Sequence, residues 1–148
     1  MLLSMTNSAI FHLAIPIEDI AQAKAFYCGG LGCELGRESE NAIILNFYGH
    51  QVVAHRTEDT QPVQKGIYPR HFGLVFLELP PWESLLERAK LKELPFYIEP
   101  KTRFSGLVTE HRSFFLEDPF HNLLEFKFYS HAEAIFGSRE ITTIGDRP

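Results

Sequence analysis

The sequence predicts an α+β fold made of two similar modules, each ordered β-α-β-β-β, whose sheets curve into an open barrel around a cleft. Three observations lead there. A short apolar run carrying a His recurs, as Phe11-His12-Leu13-Ala14-Ile15-Pro16 and Arg70-His71-Phe72-Gly73-Leu74-Val75-Phe76, with the two His 59 residues apart. Each run leads into a helical pattern and then into three strand-like runs. The chain also holds 13 Phe and 5 Tyr, many in short alternating runs, which favour sheet and can wall a cavity.

The elements follow in order. In the first module, Glu18 and Asp19 lead into a helix over Ile20 to Tyr27, for which Gly29-Gly30 is the C-cap signal. Strands are expected at Cys33–Arg37, Ala42–Tyr48 and Gln51–Arg56, with Tyr48-Gly49-His50 as a tight hairpin turn. Thr57 to Pro69, polar and proline-bearing, reads as a linker. In the second module, Pro80-Pro81 suit a first helical turn, where a missing N–H removes no helix bond, and the helix runs from Trp82 to Leu91. Strands follow at Phe96–Glu99, His111–Leu116 and Asn122–Tyr129, with Asp118-Pro119-Phe120-His121 turning between the last two. The domain spans residues 9–129, with modules at about 9–57 and 69–129. Residues 130–148 form a C-terminal tail without a clear period, expected to wrap a neighbour or fray. At about 60 residues, neither module buries its sheet alone.

Alternation assigns faces to the strands. Leu13 and Ile15 are the packing set of the first strand, so His12 and Ala14 face the cleft. Phe72, Leu74 and Phe76 pack, leaving His71, Gly73 and Val75 inward. In the last strand Leu124, Phe126 and Phe128 pack, leaving Leu123, Glu125 and Lys127 inward. Three strands thus each offer one metal-ligand residue: His12, His71 and Glu125. Taken singly, a His at a strand start is more often a satisfied hydrogen-bonding group than a ligand. Repetition at equivalent positions is what favours ligation here. Two imidazoles and a carboxylate on one side of a divalent cation leave open positions, a set suited to Fe(II), Mn(II), Ni(II) or Zn(II).

Composition excludes several classes. The 148 residues carry a formal charge of −5 and no basic run, which argues against a nucleic-acid backbone as partner. No stretch approaches the roughly 18 apolar residues that cross a bilayer. The start MLLSMTNSAIF has no basic n-region or apolar run of leader length, and Cys28 and Cys33 read as free thiols, so a cytoplasmic location is expected.

Several stretches are similar to the vicinal oxygen chelate superfamily, which includes glyoxalase I, extradiol dioxygenases and fosfomycin- and bleomycin-resistance proteins. They are His12-Leu13-Ala14-Ile15, Ala25-Phe26-Tyr27 with Leu31-Gly32, His71-Phe72-Gly73-Leu74, and Phe115-Leu116-Glu117-Asp118-Pro119 leading to Asn122-Leu123-Leu124-Glu125-Phe126. The run from Asn46 to His55 resembles a small single-domain branch described as predicted extradiol-type dioxygenases. The resemblance implies a chelating oxygen substrate on one metal, with His12, His71 and Glu125 as ligands and Fe(II) favoured. It implies an extradiol-type dioxygenase. The alternatives are a glyoxalase-like lyase or isomerase and a non-catalytic small-molecule binder of the bleomycin-resistance type. The sequence departs from the extradiol pattern in having Phe115 where those enzymes carry Tyr, and Gly106-Leu107-Val108 where they carry a His. It departs from glyoxalase I in lacking a carboxylate in Val52-Val53-Ala54-His55.

Within this frame His55 is the expected general base. Arg103 and His111 flank a loop containing Gly106 and are expected to bind substrate, Arg103 through its guanidinium fork. Phe115 is expected to wall the substrate site. The partners expected are a small-molecule substrate and, across a two-fold axis, a second copy of the chain.

Overall fold

The structure, a computed structural model, describes residues 8–147. Met1–Asn7, read above for a leader, and Pro148, the end of the tail, lie outside the described residues. The first module runs β1 (His12–Ile17), α1 (Ile20–Lys24), a wide turn (Ala25–Gly30), β2 (Glu34–Glu38), β3 (Ala42–Phe47) and β4 (His50–Arg56). The second runs β5 (Phe72–Phe76), α2 (Leu79–Leu91), β6 (Phe96–Arg103), β7 (His111–Glu117) and β8 (Leu123–Tyr129). A short 3₁₀ turn (Ala132–Ile135) follows in the tail. Each module forms a four-stranded sheet with the same order, β1-β4-β3-β2 and β5-β8-β7-β6, in which the first strand pairs parallel with the last. The α+β fold of two β-α-β-β-β modules is therefore present, as two curved sheets that do not close into a barrel.

Local chemistry explains the elements. Asp19 caps α1, its carboxylate accepting from the Gln22 N–H at 2.8 Å. The helical stretch ends at Gly30, but the cap expected of Gly29-Gly30 falls two residues later, at Leu31-Gly32. Its last turn widens, with the Leu31 N–H donating to the Phe26 carbonyl five residues back at 2.9 Å, and the left-handed residue is Gly32 at φ 83°. The widened turn presents the Gly30 and Gly29 carbonyls to Arg88 of α2, which donates to them at 2.7 and 3.0 Å. A basic side chain from the other module thus satisfies orphan carbonyls at the helix end.

β6 runs four residues past the expected stop at Glu99. Pro100 did not end it because β6 is an edge strand and its register with β7 shifts between Ile98 and Lys101. An edge or a bulge is where a strand tolerates a residue with no N–H to donate.

The packing faces assigned by alternation merge into one core. Ile15, Ile17, Leu45, Phe47 and Val52 of the first sheet join Trp82, Leu85, Phe114, Leu124 and Phe126 of the second module. Phe47 bridges them, its ring 5.9 Å from Phe72 and 6.3 Å from Phe126. The Trp82 indole N–H donates to the Phe126 carbonyl at 2.9 Å, seating α2 on β8.

The modules differ on the opposite face. All of β2 is exposed, as are His12, Ala14 and His55. In β8, however, residues Leu123 through Phe126 are all buried, on both sides of the strand. The linker and the tail cover that side: Ile67 packs with Phe115 and Leu123 in a second small apolar cluster flanked by Tyr68 and Ile98. The linker is thus no spacer, and the tail, expected to wrap a neighbour or fray, returns to its own second module.

Candidate metal and substrate site

His71 immediately precedes β5, and Glu125 lies in β8 with Gly73 as its register partner. The parallel pair brings His71 Nε2 within 3.1 Å of Glu125 Oε1. Glycine at 73 is required for this: a Cβ there would fall on the backbone carbonyl of Glu125. The turn into β8 is fixed by buried Asp118, whose Oδ1 accepts from the N–H groups of Phe120 and Asn122, both at 2.8 Å. Its Oδ2 accepts from the Tyr27 hydroxyl at 2.6 Å and the Asn122 amide at 2.7 Å, and Asn122 also donates to the Pro16 carbonyl at 3.1 Å. The Asp118-Pro119 motif therefore anchors β8 to the first module. Burial pushes the Asp118 carboxyl up, and burial with the Asp118 charge pushes Tyr27 far up, so this hydroxyl stays a donor.

The remaining atoms of the pair are committed. Nδ1 of His71 lies 2.6 Å from the Ile67 carbonyl, which can only accept, so Nδ1 carries a proton. Ser113 donates from Oγ to Glu125 Oε2 at 2.6 Å. Nε2 of His71 and Oε1 of Glu125 are left facing each other. With Nδ1 protonated, Nε2 meets the carboxylate either as an imidazolium donor or as a lone pair with a cation between them. The hydrogen bond to Glu125 outweighs burial and holds the His71 imidazole above its usual value. Burial pushes the Glu125 carboxyl up, but the His71 hydrogen bond, the Lys127 charge and the Ser113 hydroxyl bring it below the usual carboxylate range. A histidine whose second nitrogen is fixed by a backbone carbonyl, beside a carboxylate whose second oxygen is fixed by a hydroxyl, is the outer support that metal ligands need. The residues present fit a divalent ion.

These two groups open into a cavity of about 510 Å³. Its lining includes the other expected substrate groups, Arg103, His111 and Phe115. Phe115 is buried, with its ring edge-on to His71 at 5.0 Å. His111 is buried and donates from Nδ1 to the Thr109 carbonyl at 3.0 Å, which leaves Nε2 as an acceptor. Burial pushes its imidazole below the usual value, and the Lys127 and Arg103 charges add to this. Lys127 sits 3.9 Å from Glu125 Oε1 and 5.3 Å from the Tyr129 ring centre.

His12 and His55 lie elsewhere. His12 is exposed on the first sheet and meets Gln51, its register partner, at 2.7 Å. His55 pairs in register with Pro16, on the face of Gln51 and four residues further, about 13 Å along the strand. Among the described residues, no three His, Cys, Asp or Glu side chains converge as an ion-binding group. One chain brings His71 and Glu125 together and leaves His12 apart. The sequence reading missed Ser113 and Ile67. Ser113 was within reach of the same alternation, since it shares its face with His111 and Phe115. The Ile67 carbonyl carries no side-chain signal.

A family model described as the Glyoxalase/Bleomycin resistance protein/Dioxygenase superfamily matches residues 9–126. The chain belongs to this superfamily. Its fold is similar to that of a glyoxalase/bleomycin resistance protein/dioxygenase from Alicyclobacillus acidocaldarius, with 41% sequence identity, 89% of this chain and 100% of that one covered, and a TM-score of 0.84. It is also similar to the fosfomycin resistance protein FosX from Listeria monocytogenes (16% identity, 87% and 99% covered, TM-score 0.66). Lactoylglutathione lyase from Agrobacterium tumefaciens is a further structural neighbour (18% identity, 89% and 98% covered, TM-score 0.63). At these low identities the two neighbours share the fold of the superfamily alone. No curated protein matches the sequence. No helix among the described residues is long and apolar enough to cross a membrane.

Proposed function

We propose that this superfamily member is a metal-dependent enzyme acting on a small oxygen-chelating substrate, of the extradiol dioxygenase type. The observation that carries the reading is the His71–Glu125 pair, 3.1 Å apart with both outer atoms tied. His12 completes the ligand set and comes from a second copy of the chain, because its own copy holds it on the other sheet. Fe(II) is the favoured ion, with Mn(II), Ni(II) or Zn(II) suited to the same donors. Bound there, it would supply Lewis acidity toward a chelating oxygen.

The chain's own residues do the rest. Ile67 holds the His71 ring in one tautomer, and Ser113 turns Glu125 toward it. Phe115 keeps water from one side of the pair. Arg103 takes an anionic group of the substrate. His111, neutral and with Nε2 free of its Thr109 bond, accepts the substrate proton. We assign that role to His111 rather than to His55, because His111 shares the cavity with Glu125, whereas His55 lies about 13 Å along its strand from Gln51, the register partner of His12. Cys33, buried with its thiol pushed up to about 12 by burial, is unreactive, and both cysteines are free thiols. A reducing cytoplasm is the compartment this suits.

The test is metal content after anaerobic Fe(II) reconstitution. Wild type is expected to hold about one ion per chain and His71→Ala none; full occupancy in His71→Ala defeats the metal site. Mixing His12→Ala with Glu125→Gln chains then separates the two sources of His12. If it comes from the partner, each mixed dimer has one intact site, so random mixing restores about a quarter of the sites. If both ligands come from one chain, mixing restores none. Oxygen uptake with catechols tests the dioxygenase reading, and a chelator-insensitive ligand affinity would favour a binding protein instead.

A further inference from the structure

We infer that Asp146, in the C-terminal tail, is an internal occupant of an oxyanion-binding position at Arg103, and that an anionic substrate enters by displacing it. The inference rests on the reading of this cavity as the substrate site. Its ligand class is a small molecule bearing a carboxylate or a chemically similar oxyanion, such as a phosphonate, beside its chelating oxygen.

Arg103 is a buried cation. Its side chain is 7% exposed, and it lines the cavity that holds His71 and Glu125. A guanidinium removed from water requires an anion. Arg103 has one in the Asp146 carboxylate, with which it forms an ion pair. The two partners differ in how they are held. Arg103 ends a sheet strand, whereas Asp146 sits in a turn outside both sheets with its side chain 55% exposed.

The tail is tied down weakly near that point. The Asp146 N–H donates to the Tyr68 hydroxyl at 2.8 Å, and the Arg147 guanidinium stacks over the Tyr68 ring at 4.8 Å. Ile144 and Arg147 exchange backbone hydrogen bonds at 3.0 and 3.1 Å. Apolar burial contributes little, since Phe136 is 95% and Ile144 81% exposed. A segment held by one ion pair, one ring contact and a few surface hydrogen bonds opens at small free-energy cost. A fork that accepts a carboxylate bidentately serves a substrate carboxylate equally well. Lys127 in the same cavity adds positive charge, and Glu125 and Asp146 are the opposing negative charges.

Titration calorimetry on the full chain tests this, using glycolate and methylphosphonate as anionic probes and glycolamide as the neutral control. Asp146→Asn is expected to bind one or both anions about tenfold more tightly than wild type, because the competing occupant is gone. Glycolamide affinity should not change. Whichever anion gains more tells carboxylate from phosphonate as the preferred chemistry. Arg103→Gln should abolish the preference for the charged probes. Hydrogen exchange gives a second readout: the amides of residues 141–147 should exchange faster when the preferred anion is added to wild type, and constitutively faster in Asp146→Asn. Equal or weaker anion affinity in Asp146→Asn, no anion binding to any form, or tail exchange indifferent to the anions would each overturn the inference. Mn(II) affinity of the same variants keeps the two readings apart. The metal site fails if His71→Ala retains the ion, whereas Asp146→Asn should leave Mn(II) affinity within about twofold of wild type.

Discussion

The two modules have the same strand order and the same parallel pairing, yet their inner faces have different chemistry. In the first, β1 and β4 pair His12 with Gln51, Ala14 with Val53 and Pro16 with His55. In the second, β5 and β8 pair Gly73 with Glu125 and Val75 with Lys127. The same ladder position thus holds Val53 in one sheet and Glu125 in the other, and Ala14 in one where the other needs Gly73. The first module has an imidazole with no carboxylate beside it and an exposed face. The second has the pair, and residues outside the repeat cover it: Ile67 and Tyr68 from the linker, Asp146 from the tail. Duplicating a module supplies two scaffolds; the linker and tail cover the inner face of the second.

Glycine substitution should give the largest contrast. Gly73→Ala forces a Cβ into the Glu125 backbone and is expected to destabilise the chain by about 3 kcal/mol. Ala14→Gly at the equivalent place should cost about 1 kcal/mol or less. Denaturant midpoints measure both, and equal losses would break the comparison. Next comes Glu125→Gln, expected to weaken metal binding more than a hundredfold while Val53→Ala leaves it unchanged, as read by Mn(II) titration. Ser113→Ala removes the hydroxyl that orients Glu125 and should lower metal affinity about tenfold.

The smallest expected effect is on pH dependence. Burial holds the folded His111 imidazole below its usual 6.5, so the unfolded chain binds more protons in that interval. Its contribution is complete above 6.5 and is lost as pH falls toward the folded value. Apo-protein melting temperatures should therefore fall more steeply below pH 6.5 in wild type than in His111→Gln.

Much of the scaffold was readable along the chain because it rests on local rules. Alternation separated Leu13, Ile15, Leu124 and Phe126 from His12 and Glu125, and Asp19 marked the start of α1. The signals that misled were also local. Gly29-Gly30 looked like a helix cap, whereas Leu31-Gly32 and Arg88 supply it, and the strand expected to stop at Glu99 runs on through Pro100 because the bulged edge of β6 absorbs it. In the site, His71, Glu125, Arg103, His111 and Phe115 were nominated one by one from residue type and face, and all five line one cavity. His55 carried the same kind of signal and lies on the other sheet, since parity gives a face but not which sheet that face belongs to.

The repeat, the strand faces and the residue types at them belong to the sequence, because side-chain period and backbone propensity act over a few residues. The tertiary structure decided that His71 and Glu125 meet while His12 stands apart. It also decided that Ser113 and Ile67 fix the pair's outer atoms, and that the tail carries Asp146 to Arg103. Apart from the Ile67–His71 bond, which spans four positions, those contacts join residues 12 to 54 positions apart or a strand to a distant tail. Their existence depends on how two sheets and two irregular segments share space, and no local period encodes that.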